Sequence, residues 1–128
     1  MWKTGIHERD APELYRLIER FNVEIDTIIV EGIRDEDALR RIGYEGCILR
    51  LSRTRGVLGL SLVIRKEHRH EKILILTDFD RRGEELYRKI KNELESVNVK
   101  INEKLRIELK KILEKYSLKT IESIKSLL

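Results

Sequence analysis

Two short apolar runs in this chain each end in carboxylates, the groups that bind hard cations and move protons. Ile73-Leu74-Ile75-Leu76 runs into Thr77-Asp78-Phe79-Asp80-Arg81-Arg82-Gly83-Glu84, and Thr27-Ile28-Ile29-Val30 runs into Glu31-Gly32. Alternate residues of an extended backbone point the same way, so the Asp78-x-Asp80 spacing lets two carboxylates converge on one divalent ion. If the two runs are neighbouring parallel strands, Glu31, Asp78 and Asp80 emerge at the carboxyl edge of the sheet, where open parallel sheets bind their ligands. Like charges so close raise one another's pKa, and a bound cation offsets that repulsion. All-oxygen ligation suits magnesium or manganese, which typically also meet phosphate oxygens. A plainer reading makes Asp80 a helix cap, Asp78 a solvated loop residue and Glu84 a helix-surface charge.

Arginines follow the same strand ends. Arg53 and Arg55 come after a second strand, while Arg81 and Arg82 lie between the aspartates and Gly83. Guanidinium pairs bidentately with phosphate, so these four form a candidate phosphate-facing rim. The alternative pairs Arg81 and Arg82 with Glu84 and Glu85 on a solvated helix face. A second basic run, Arg65-Lys66-Glu67-His68-Arg69-His70, precedes the third strand and belongs to the opposite, amino-terminal edge. It reads as surface or peripheral backbone contact.

The elements that must position these residues read as an α/β fold. Asp10-Ala11-Pro12-Glu13 starts a helix with Leu14, Leu17, Ile18 and Phe21 on one face. After the first strand, Asp35 is placed to cap a helix that runs to about Ile42. Cys47 to Leu51 reads as a strand, Val57 to Lys66 as a helix, Ile73 to Leu76 as a strand and Arg81 to Ser96 as a helix. Val97, Val99 and Ile101 alternate as a fourth strand. The β-α-β-α-β-α-β order predicts a four-stranded parallel Rossmann-like sheet sandwiched by helices, with a helical tail over 103–128. No linker interrupts the chain, so 1–128 reads as one domain with its core over 24–101.

On these two motifs the chain resembles the Toprim domain shared by type IA topoisomerases, bacterial-type primases, small-RNA maturases and some nucleases. The resemblance covers about Glu24 to Ile101. It implies that Glu31 acts as general acid or base in phosphodiester chemistry and that Asp78 and Asp80 are magnesium ligands, with all three acids around the ion. Two departures stand out. Type IA topoisomerases carry a further acid where this chain has Arg82, and most members have proline where it has Phe79.

Composition agrees with a nucleic-acid partner. The formal charge of +4 favours polyanions, and the single cysteine, Cys47, excludes an intramolecular disulfide. No apolar stretch is long enough to span a membrane, and the expected location is the cytoplasm. A charged fraction of 39% without any glutamine points to a thermophilic source. His68, His70 and Cys47 lack zinc-ligand spacing, no Walker-type glycine loop is present, and Tyr15, Tyr44, Tyr87 and Tyr116 sit in packing patterns, which leaves covalent catalysis without support. Two function classes follow: a magnesium-dependent nuclease-type enzyme, or a non-catalytic nucleic-acid-binding or accessory module. In the tail, Leu109, Ile112, Leu113 and Ile124 form stripes that either fold back on the core or pair with a second copy in a homodimer.

Overall fold

Continuous aliphatic runs are legible as strands because both of their faces need cover, and the computed structural model, which describes residues 11–128, gives each face its own layer. Strands β1 (Thr27–Val30), β2 (Cys47–Arg50) and β3 (Ile73–Ile75) form a parallel sheet in the order β2-β1-β3. Ile28, Val30, Leu74 and Leu76 face one layer, and Ile29, Ile73 and Ile75 face the other. The crossover from β1 to β2 and the return from β2 to β3 run in opposite directions, so right-handed connections put their helices on opposite faces. Helix α2 (Ile33–Arg41) accordingly joins α1 (Pro12–Glu24) and α5 (Lys104–Glu114) in the first layer. Helices α3 (Gly56–Glu67) and α4 (Arg81–Ser96) form the second.

The sheet has three strands, not the four expected. Val97 already caps α4, Asn98 takes a positive φ of 65°, and these two residues break the extended run that Val97, Val99 and Ile101 suggested. Ile101 alone meets the sheet, in a single parallel bridge to Ile73, with the Asn102 amide donating to the Ile73 carbonyl at 2.9 Å. Asp35 is the third residue of α2 and not its cap; its carboxylate reaches back to accept from the Gly32 amide at 3.2 Å. Asp10, the expected cap of α1, lies outside the described residues, and Pro12 opens that helix after Ala11. Leu51 leaves β2 and begins a short 3-10 turn over Leu51–Arg53.

The tail folds back on its own chain. With only α1 and α2 on the first face, a three-stranded sheet leaves room for α5 and the 3-10 turn over Glu122–Leu127, and their apolar residues fill it. Leu109, Leu113 and Ile124 are fully buried and Ile112 nearly so, which removes all four from any surface offered to a second copy. Among the described residues, no helix is long and apolar enough to cross a membrane. Leu109→Ala is expected to lose about 2–5 kcal/mol in chemical denaturation, the range for deleting a packed leucine, while Ile107→Ala on the exposed side of the same helix stays within about 0.5 kcal/mol. Equal losses at the two positions would contradict the assigned packing.

Candidate functional site

Parallel order brings the carboxyl ends of β1 and β3 side by side, and so sets Glu31 next to Asp78. The Asp78 amide donates to Glu31 Oε2 at 3.1 Å, joining the two motifs directly. Asp80 caps α4, its Oδ1 accepting from the Gly83 amide at 2.8 Å. Gly83 is required by close approach: a Cβ there would collide with the backbone carbonyl of Asp78. Beneath it the buried Thr77 hydroxyl donates to the Gly83 carbonyl at 2.8 Å. The run Thr77 to Gly83 is thus a tight strand-to-helix turn in which backbone packing fixes where both aspartates leave the chain.

The loop is held from the tail. Arg106, on α5, is 4% exposed and donates to the carbonyls of Ile75 at 3.2 Å, Thr77 at 2.9 Å and Asp78 at 3.3 Å, and to Glu84 Oε1 at 2.6 Å. Its guanidinium lies over two aromatic rings, 4.5 Å from the centroid of Phe79 and 4.2 Å from that of Tyr87. Phe79 is therefore a packing residue of the core. Farther along the tail, the Lys119 carbonyl accepts from the Phe79 amide at 2.6 Å and the Ile121 amide donates to Asp78 Oδ1 at 2.9 Å. Burial works to raise the Glu84 carboxyl, but hydrogen bonds from Lys110 and Arg106 outweigh it and leave its pKa lowered.

The three acids share one edge but not one point. Glu31 is turned to Arg82, whose Nη2 donates to Oε1 at 2.5 Å; Asp78 is turned to the Ile121 amide, and Asp80 back along its own helix. Among the described residues, no three carboxylate, histidine or cysteine side chains converge closely enough to hold an ion together. The donor chemistry nonetheless fits a hard cation. Asp78 Oδ2 and Asp80 Oδ2 carry no hydrogen bond from the described residues, and the Asp78 carboxyl is raised by burial and by the neighbouring charges of Glu31 and Asp80, against the lowering effects of the Ile121 amide and Arg82. A divalent ion would relieve that unbalanced negative charge.

Of the arginine rim, only Arg82 meets the acids. Arg81 pairs with Glu85 at 3.3 Å along α4. Arg53 lines a groove beside β2 with Glu36 and Arg50, and Arg55 caps α3; both are exposed at the same sheet edge, on the far side of β1 from Asp78. Their loop is tied to the first strand by the Ser52 amide, which donates to the Glu31 carbonyl at 3.0 Å. Asp35 is the acid that sequence spacing does not flag. It is buried beside the cluster and pushed up to about 6, chiefly by desolvation and then by the charge of Asp78.

Residues 26–112 match the Toprim domain family. This chain is a Toprim-domain protein. It is 41% identical over 108 residues to a UPF0292 protein of Thermococcus gammatolerans, covering 84% of this chain and 77% of that one. A UPF0292 protein of Methanocaldococcus jannaschii is 36% identical over 99 residues, 76% of either chain. A solved protein structure from Aquifex aeolicus superposes with a TM-score of 0.67 at 28% identity, covering 88% of this chain and 95% of that chain. The Toprim match extends past Ile101 through most of α5 and so includes Arg106.

Two outcomes follow from this geometry. Gly83→Ala should lower stability by about 1–3 kcal/mol, the usual range for forced overpacking, and shift the amide resonances of Asp78 and Phe79; a silent substitution would mean that the turn is not packed as described. Asp35 has a folded-state pKa above its ordinary 3.8, so the native state binds the extra proton and stability falls as pH rises from about 4 to about 6. Asp35→Asn should remove that component, by about 3 kcal/mol at most at pH 7, seen as the difference between the pH-stability curves of the two proteins.

Proposed function

We propose that this Toprim protein processes nucleic-acid phosphodiesters with a divalent cation, as a nuclease-type enzyme. The observation that carries this reading is the direct contact of the two acidic motifs, Glu31 on β1 with the Asp78 amide after β3, with Arg82 reaching across them. Toprim membership supports a metal-dependent, nucleic-acid-related role in general terms. Asp78 and Asp80 would hold Mg²⁺ or Mn²⁺ through their outer oxygens, with Glu31 as a third ligand or as the proton carrier. Such an ion, when bound, polarises a phosphoryl oxygen and offsets charge at the reacting centre. Glu31 is 16% exposed and Arg82 71%, so the arginine is the partner free to move. Transfer of Arg82 from Glu31 to a phosphate would release Oε1 of Glu31 to accept a proton from the attacking group, and would bring a guanidinium to the substrate in the same motion. Arg81, Arg53 and Arg55, exposed along the same edge, would bind the flanking backbone. Heat-adapted, cytoplasmic surroundings accord with the dense surface charge and with relatives from Thermococcus.

A second reading, a nucleic-acid-binding or accessory module, is favoured by one observation: both oxygens of Glu31 are engaged, by Arg82 and by the Asp78 amide. The two separate in one experiment. A labelled panel of RNA and DNA, incubated with and without magnesium, should show cleavage that needs the metal and drops about 100-fold or more in Glu31→Gln with binding retained. Cleavage absent throughout, with manganese still bound in calorimetry by the parent and not by the double variant Asp78→Asn, Asp80→Asn, would assign the binding module. Equal manganese binding by both would remove the proposed site.

A further inference from the structure

The basic run before β3 leaves a surface that the acidic edge does not use. Arg65 and Lys66 end α3 exposed, and the loop after them returns along the amino-terminal edge of the sheet, opposite Glu31 and Asp78. This loop is built, not loose. Glu71 Oε1 accepts from the Thr27 hydroxyl at 2.6 Å and lies 2.8 Å from His68 Nδ1, while Arg69 donates to the Val97 carbonyl at 3.2 Å and so ties the loop to the turn after α4. Between loop and turn lies a polar groove of about 190 Å³ lined by Arg69, His70, Glu71, Asn98 and Lys100. Asn98 and Lys100 also line the adjoining groove, which runs toward Ile101 and includes Glu95, so the two form one furrow.

Charge decides what such a furrow takes. The one carboxylate in the first groove, Glu71, is already engaged by Thr27 and His68, and Glu95 in the adjoining groove is paired with Lys91 at 3.1 Å, whereas Arg69, His70 and Lys100 are exposed around them. A polar furrow edged by cations suits a phosphate-bearing backbone, not an apolar or cationic partner. We propose that this furrow is a second nucleic-acid backbone site, separate from the acidic edge and independent of divalent metal. It rests on the nucleic-acid reading above for its ligand class, but on none of the residues that reading uses.

The test measures affinity of the full chain for a labelled single-stranded RNA and a labelled DNA duplex across a salt series, with chelator and no divalent ion. Three proteins are compared in the Asp78→Asn, Asp80→Asn background: the unaltered furrow, His70→Glu with Lys100→Glu, and Lys104→Ala with Lys111→Glu as a control of equal charge change on α5. Neither pair touches the Arg69 bond, and circular dichroism checks folding. The furrow pair should weaken binding at least tenfold and flatten the salt slope by about one for the duplex, the loss of about one charged phosphate contact, while the control changes affinity less than threefold. Equal losses in both pairs would reduce the effect to net charge and overturn the site, as would no loss in the furrow pair. Because the background disables the acidic edge, furrow binding can fail while metal-dependent cleavage in the unmodified protein persists, and the reverse.

Discussion

A single buried guanidinium organises the carboxyl edge of this protein. Arg106 is sealed under the loop that carries Asp78 and Asp80, and a charge in that position is tolerated only when its donors are satisfied. Burial pulls its pKa down and Glu84 pushes it back, but an arginine starts so high that it stays charged. The need to satisfy that charge dictates much of what surrounds it. Three carbonyls from Ile75 to Asp78 turn inward to accept, Glu84 is set in the first turn of α4, and the rings of Phe79 and Tyr87 pack against the guanidinium.

From this follows the logic of the motif. The carbonyls claimed by Arg106 fix the end of β3, Gly83 lets α4 approach the Asp78 backbone, and Asp80 closes the helix as its cap. Asp80 is therefore both cap and candidate ligand, since capping occupies one carboxylate oxygen and leaves the other. The tail adds the second restraint through Lys119 and Ile121, so a segment with no acidic motif of its own holds one carboxylate of the site. Where type IA topoisomerases carry another acid, Arg82 supplies a cation instead, and it lies against Glu31.

Much of the scaffold is legible from aliphatic runs alone. β1 and β3 announce themselves because both faces are buried, and the span of α4 follows from Asp80, Gly83 and the spacing of Leu86, Ile90 and Leu94. The fourth strand misleads because Val97, Val99 and Ile101 do alternate in sequence, yet the end of α4 and the positive φ of Asn98 consume the residues that would pair. Glu31, Asp78 and Asp80 are found by their place after strands. Their present partners are not, since ion pairing between Arg82 and Glu31 spans 51 positions and no local pattern encodes it. Arg106 did leave a signal: it stands three residues before Leu109 and seven before Leu113, on the buried stripe of α5, where a charge demands a partner.

The claim that Arg106 holds the acidic loop is tested most directly by amide hydrogen exchange on Arg106→Lys, which keeps the positive charge but cannot span three carbonyls and Glu84 at once. The amides of Phe79, Gly83 and Ile121, bonded respectively to Lys119, Asp80 and Asp78, are the reporters. The account predicts that these three lose protection by at least tenfold more than the β1 amides of Ile28 and Ile29, a local opening of the loop and its strap. Uniform loss across the sheet, or unchanged protection at all three, would contradict it.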